Sequence, residues 1–153
     1  MRITETKLRQ IIREVLSDSK DAQTPVELNV RELSAPKTLV HRTHSPDLTV
    51  DKLDPTTPRD SKQSKGGKLK VVGVYAYAAE DADEEIVKRY GDRKVTLTLP
   101  AGTRVLDLRN EKKGATARIT KERADELLAQ GIDAIVGYDL VGPSEWVILR
   151  PVW

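Results

Sequence analysis

Three residues whose side chains could act together on one ligand, His41, Tyr75 and Glu145, stand on or at the end of short β-like runs. A carboxylate such as Glu145 stabilises positive charge that develops during a reaction. The ring of Tyr75 offers a flat wall for a planar group, and a histidine can orient a ligand through hydrogen bonds. These three side chains can serve one ligand only if the fold brings them to the same cleft.

The order of predicted strands and helices, which must position these residues, predicts an α+β fold. Val95, Leu97 and Leu99 alternate with polar residues, as in a half-buried strand. Further strands are predicted at residues 37–43, 70–77, 103–108, 132–136 and 145–149. Short helices are predicted from Asp81, where Glu84 gives capping-box spacing, and from Thr120 to Gly131. Several strands with few helices indicate α+β rather than regular βαβ alternation.

Composition shifts divide the chain into an N-terminal segment and one larger domain. Residues 3–16 predict an amphipathic helix with a single apolar stripe, and residues 17–25 are polar and linker-like. We assign residues 1–25 to this helix and linker, and residues 26–153 to the domain. Residues 45–68 show no periodic spacing of apolar residues and are rich in Pro, Ser and Gly, which predicts a long flexible loop.

Bulk composition excludes several classes of function. The chain has 153 residues, a net charge of +2, no cysteine and two histidines, so neither a disulfide framework nor a zinc site is expected. No apolar run reaches the roughly 20 residues needed to cross a bilayer, so we expect no membrane partner. The basic stretch over residues 59–70 could contact phosphates or nucleic acid. The modest net charge disfavours a dedicated nucleic-acid binder.

Three segments of the chain resemble, in their order, the His-Tyr-Glu signature of the ADP-ribosyltransferases, in the branch of diphtheria toxin and poly(ADP-ribose) polymerase. They are Leu39 to Thr43, Gly73 to Tyr77 and Ser144 to Leu149. The residues from Gly131 to Val136 resemble a Gly-Tyr-Asp-Gly-Ile pattern of bacterial and phage members. The resemblance extends from Thr38 to Pro151. It implies a small split mixed or antiparallel sheet with a few short helices, and NAD as substrate without a metal.

The resemblance also implies a role for each matched residue. Glu145 would hydrogen-bond the nicotinamide ribose and stabilise the cationic sugar, while His41 would bind the ribose on the adenosine side. Tyr75 would stack on nicotinamide, with Tyr90 as a second aromatic wall. The resemblance thus assigns catalysis to Glu145, His41 and Tyr75. The remaining residues assigned to NAD binding are the neighbours Arg42, Thr43, Gly73 and Tyr90.

Two positions depart from the family pattern. Arg42 stands where the family usually has glycine, and an alternative register would match Arg42 to the arginine of the Arg-Ser-Glu branch. The Ser-Thr-Ser run of that branch is missing at residues 75–79, so we prefer His41. Pro143 stands where arginine-modifying members carry a second Glu or Gln, which disfavours arginine as the acceptor.

The N-terminal segment has a resemblance of its own. Ile3 to Glu5 followed by Leu8 to Glu14 is similar to a leader shared by unrelated proteins of marine tailed bacteriophages. This resemblance implies a phage protein, in the virion or the host cytoplasm, that docks on a capsid or scaffold protein through residues 3–16. We expect an ADP-ribosyltransferase that modifies a host protein or nucleic acid. The alternative is a non-catalytic virion protein with a degenerate form of the same fold.

Overall fold

A computed structural model describes residues 29–60, 69–140 and 143–153, and a mixed β-sheet dominates them. Within this part of the chain, seven strands pair in the order β1-β7-β8-β9-β5-β2-β6, and β3 pairs with β4 in a separate two-stranded sheet. The strands are β1 (Val30–Glu32), β2 (Lys37–Thr43), β3 (Arg59–Asp60), β4 (Lys70–Val71), β5 (Val74–Ala78), β6 (Arg93–Leu99), β7 (Arg104–Asp107), β8 (Ala134–Tyr138) and β9 (Ser144–Ile148).

Helices are few and short in the described residues. The α-helices are α1 (Glu85–Lys88) and α2 (Lys121–Ala129), and single 3-10 turns form at Val50–Lys52, Ala79–Asp81 and Ala115–Arg118. The pair β7–β8 is parallel and the other strand pairs are antiparallel. The α+β class predicted from the sequence is therefore confirmed. The predicted N-terminal helix lies outside the described residues.

The strands that carry the predicted site residues are neighbours in the sheet. β5 lies between β2 and β9, so His41, Tyr75 and Glu145 come from adjacent strands. The β5–β9 register pairs Tyr77 with Glu145 and Tyr75 with Val147. The pairing between β2 and β5 is limited to Leu39–Ala78 and Val40–Tyr77. The two strands therefore part after Val40, while β2 stays paired with β6 along its length.

Alternation along the strands builds a hydrophobic core on each face of the sheet. One core contains Leu39, Ala76, Val95, Leu97, Leu99, Val136, Trp146 and Ile148. The other contains Leu106, Leu108, Ile119, Leu127, Ile135, Val147 and Leu149, with Tyr75 packed against it. Helix α2 closes this second core through Ala124 and Leu127, and the Thr120 hydroxyl caps its N-terminus. The helix predicted from Thr120 is thus confirmed.

The predicted strand over residues 70–77 is wrong in one respect, because it is broken at Gly73. This residue has φ +100°, and β4 ends before it while β5 begins after it. A β-carbon there would lie 2.4 Å from the Val147 side chain. The backbone of Gly73 instead binds Pro55 and Arg59, through its N–H and its carbonyl respectively. Glycine thus permits the turn and the close approach of Val147 on β9.

The predicted capping box at Asp81 and Glu84 is also wrong. Residues 79–81 form a 3-10 turn, and α1 begins only at Glu85, with no side chain capping it. Ala82 and Val87 of this segment are buried. The reason for the shorter helix is that Arg42 binds the backbone of this segment, as described below. That contact holds residues 82–91 in a conformation that a continuous helix does not allow.

Residues 45–60, predicted to belong to a long loop, are anchored to the domain. Leu53 is buried in the first core, and Leu48 and Val50 pack against it. The segment ends in β3, which pairs with β4. Leu48, Val50 and Leu53 therefore fix this segment to the core, although their spacing is too wide to give a periodic pattern in the sequence. Strand β1, which the sequence pattern does not indicate, forms because Val30 to Glu32 pairs with the edge strand β7.

Candidate functional site

Glu145 is the centre of the candidate site. It begins β9 together with Ser144, and its side chain is buried, with 6% of the residue exposed. The Thr116 hydroxyl donates to Oε1 at 2.7 Å, and the Tyr77 hydroxyl donates to Oε2 at 3.0 Å. Glu145 is thus held by one donor at each carboxylate oxygen.

A second buried carboxylate, Asp139, lies beside Glu145 just after the end of β8. Its Oδ2 accepts from the Tyr90 hydroxyl at 3.1 Å and lies 3.4 Å from the Tyr77 hydroxyl oxygen, and its Oδ1 accepts from the Leu140 N–H at 2.7 Å. The rings of Tyr77 and Tyr90 stack with their centroids 6.0 Å apart. Tyr77 therefore connects the two carboxylates through a single hydroxyl.

Tyr75 lies on the same face of β5 as Tyr77, and a cation covers its ring. The guanidinium carbon of Arg59 lies 4.6 Å from the ring centroid, and Arg59 Nη1 donates to the Gly73 carbonyl at 2.7 Å. The hydroxyl of Tyr75 donates to the Thr116 carbonyl at 2.7 Å. Tyr75, predicted to be a flat ring on which a ligand stacks, is therefore half-buried, and its ring holds a planar cation.

His41 reaches the site from the other side of the sheet. Its register with Val95 places it on the face of Leu39, whereas Tyr75 and Glu145 occupy the opposite face. The ring extends into the gap where β2 and β5 separate, and Nδ1 lies 2.6 Å from the Tyr75 carbonyl oxygen. A carbonyl only accepts, so Nδ1 carries the proton and Nε2 of the neutral ring is an acceptor. The structure thus brings His41 to the backbone of Tyr75 rather than onto one face with Glu145.

The neighbours assigned to NAD binding take structural positions. Arg42 is buried and donates from Nε and Nη2 to the Ala82 carbonyl, and from Nη1 to the Gly91 carbonyl. Its Nη2 also pairs with Asp83 at 3.0 Å. The hydroxyl of Thr43 accepts from a backbone N–H in the following turn. Tyr90 stacks on Tyr77, and it does not form a pair of walls with Tyr75.

The electrostatics of the site follow from burial and from the close carboxylates. Burial raises the pKa of Glu145 to about 7, and the charge of Asp139 adds to the rise, while the hydroxyls of Thr116 and Tyr77 and the charge of Arg59 oppose it. Burial and the Glu145 charge raise the pKa of Tyr75 and of Tyr77. Burial lowers the pKa of His41, and Arg59 lowers it further. Glu145 therefore changes its charge near neutral pH.

Four residues of this arrangement were missed by the sequence reasoning: Thr116, Tyr77, Asp139 and, as a contact of Tyr75, Arg59. The register with Glu145 could have indicated Tyr77 once the order of the strands was known. The others come from a 3-10 turn, a post-strand loop and the segment before β4, where no periodic signal exists.

Three further findings concern the described residues as a whole. A cavity of about 730 Å³ lies beside the 3-10 turn that carries Thr116, and its lining includes Ala115, Ala117, Arg118 and Leu140 but neither Thr116 nor Glu145. Within residues 29–60, 69–140 and 143–153, no group of three or more His, Asp or Glu side chains is arranged to bind a metal. None of the helices in those ranges has the length and apolar character needed to span a bilayer.

Comparison with protein families, with curated proteins and with solved structures found no match for this chain.

Proposed function

We propose that this domain binds NAD and transfers its ADP-ribose to a host protein or nucleic acid, with release of nicotinamide. The observation that carries the proposal is the planar cation on the Tyr75 ring, on the same sheet face as a buried carboxylate. The nicotinamide ring of NAD is also planar and positively charged. A ring that stacks on guanidinium has the chemistry needed to stack on nicotinamide.

Each group of the site then has a definite task. Glu145, held by Thr116 and Tyr77, presents its negative charge when ionised to the ribose carbon as the bond to nicotinamide weakens. Nicotinamide leaves as a neutral molecule, so no residue has to protonate it. His41 lies on the opposite face of the sheet from Glu145, and its protonated Nδ1 donates to the Tyr75 carbonyl, so its role in this proposal is to position Tyr75 rather than to bind the ribose. Arg59 must leave the Tyr75 ring when nicotinamide binds.

The resemblance of the sequence segments and the adjacency of β2, β5 and β9 support the same proposal. The resemblance of the N-terminal segment to a phage leader suggests where the domain acts. Residues 3–16 dock on a capsid or scaffold protein and carry the domain into the virion. From the virion the domain reaches the host cytoplasm at infection.

The test is release of nicotinamide from NAD by the purified full chain. Glu145→Gln keeps the size of the side chain but removes the charge, so we expect kcat to fall by about 10²–10³ with little change in KM. The matched control is Glu122→Gln, an exposed residue on α2, which should act like the wild type. Equal release by wild type and Glu145→Gln would refute this role of Glu145.

A non-catalytic virion protein is the second candidate, and a specific observation favours it. Both oxygens of Glu145 already have protein partners, and Arg59 covers the ring that a ligand would need. This candidate predicts no nicotinamide release, no change in thermal stability on adding NAD, and association of the chain with phage particles that is lost on deleting residues 1–20. Protection by NAD against heat would instead support the first proposal.

A further inference from the structure

A single hydroxyl shared by two buried carboxylates raises the question of where its proton lies. Tyr77 has one O–H and can donate to one acceptor at a time, yet Glu145 Oε2 lies 3.0 Å away and Asp139 Oδ2 lies 3.4 Å away. Glu145 and Asp139 are 6% and 4% exposed, so water does not replace a lost partner easily. The geometry therefore provides two alternative hydrogen-bond arrangements of the same side chains.

We propose that Asp139 is a positioning residue for Glu145, because it gives the Tyr77 hydroxyl a second acceptor whenever Glu145 takes up a proton. With Glu145 ionised, Tyr77 donates to Oε2. With Glu145 protonated on Oε2, the new O–H donates to the Tyr77 oxygen, and the Tyr77 proton turns to Asp139. One proton has been added, and every buried hydroxyl still has an acceptor.

The surroundings of Asp139 fit this role. The Tyr90 hydroxyl and the Leu140 N–H both donate to it, so Asp139 stays fixed in either arrangement. Without such an acceptor, protonation of Glu145 would leave the buried Tyr77 hydroxyl without a hydrogen-bond acceptor, which disfavours the protonated form. Asp139 thus allows Glu145 to change its charge without rearrangement of the site.

The groups that face Glu145 come from several elements. They are Thr116 from the 3-10 turn, Tyr75 and Tyr77 from β5, Tyr90 after α1, Asp139 after β8 and, as the positive charge, Arg59 from β3. Asp139 is the negative charge among them, and it disfavours ionisation of Glu145. If the proposed function is right, the rate of catalysis should fall at low pH as Glu145 becomes protonated, and this consequence rests on the proposed function. The exchange of hydrogen bonds does not depend on it.

The experiment is an NMR titration of the full chain labelled with ¹³C in the glutamate carboxyl groups, without NAD. The wild-type midpoint for Glu145 is expected near pH 7. Asp139→Asn removes the neighbouring charge and should lower the midpoint by about 1 pH unit. Tyr77→Phe removes a donor to the ionised form and should raise it. Loss of a charge and loss of a donor would give these two signs without any exchange of hydrogen bonds, so Tyr90→Phe, which changes no charge and removes no donor to Glu145, is measured as well.

The matched control is Asp133→Asn. Like Asp139, Asp133 is a buried aspartate next to β8, but it precedes the strand whereas Asp139 follows it. Its side chain accepts hydrogen bonds from Arg104 and Arg150. This variant should leave the Glu145 midpoint unchanged. In Tyr90→Phe, which also replaces Asp139→Asn if that variant fails to fold, Asp139 loses a competing donor and attracts the Tyr77 proton, so the Glu145 midpoint rises.

An unchanged Glu145 midpoint in folded Asp139→Asn, or in folded Tyr90→Phe, would overturn the proposal. The titration needs no substrate, so the two proposals can fail separately. Shifted midpoints without nicotinamide release by the wild type would support the role of Asp139 and reject the proposed transfer. Nicotinamide release with an unshifted midpoint would reject the role of Asp139 alone.

Discussion

Burial of Glu145 predicts that the protein loses stability as the pH rises through the neutral range. The carboxyl group has a pKa of about 7 in the folded chain, against an ordinary value of 4.5. Between these pH values the folded state binds the proton that the unfolded state has already released. The free energy of unfolding therefore falls as the pH rises from 4.5 to 7 and stays lowered above that range. The pKa difference corresponds to about 3 kcal/mol.

Glu145→Gln removes this dependence, because the amide stays neutral at every pH. Thr116 and Tyr77 can still donate to the amide oxygen or accept from its nitrogen, and Tyr77 can turn to Asp139. Relative to the wild type, the variant should gain about 3 kcal/mol between pH 4 and pH 8. For a domain of this size that gain is a difference in melting temperature of roughly 10 °C.

The assay is urea unfolding followed by circular dichroism at several pH values, with wild type and variant measured in parallel. Both proteins keep His41, whose lowered pKa acts in the opposite direction, so the difference between them reports on Glu145 and the groups that it contacts. The exposed control Glu122→Gln should show a difference that does not vary with pH. The reasoning is refuted if the stability difference between wild type and Glu145→Gln is the same at pH 4 and pH 8.

Three other perturbations test the packing around the site. Arg42→Met leaves two buried backbone carbonyls without their donor and should cost about 2 kcal/mol or more in urea unfolding; a cost near zero would contradict the contacts described. Gly91→Ala places a β-carbon 2.1 Å from the backbone of β2 and should prevent normal folding, whereas Gly102→Ala, with open space around it, should cost only about 1 kcal/mol. Arg59→Gln uncovers Tyr75 and should tighten NAD binding about fivefold in calorimetry, while weaker binding would show that Arg59 contacts the ligand instead.

Local pattern in the sequence was sufficient to predict most of the strands. Val95, Leu97 and Leu99 alternate with polar residues because one face of β6 packs on the core, and this alternation is visible without any partner strand. The helix after Thr120 was equally clear from its cap and its apolar spacing. Such signals arise from interactions between residues close in the chain. The candidate residues Tyr75 and Glu145 were selected instead by the resemblance of their segments to the His-Tyr-Glu signature.

Tertiary structure decided what these residues contact. The partners of Glu145 are Thr116 and Tyr77, which lie 29 and 68 positions away in the chain, and no local pattern relates them. The separation of β2 from β5, which determines how His41 approaches the site, depends on strand pairing across the whole sheet. Side-chain types are written in the sequence. Their distances, their burial and therefore the charge of Glu145 at neutral pH arise only when distant segments pack together and exclude water.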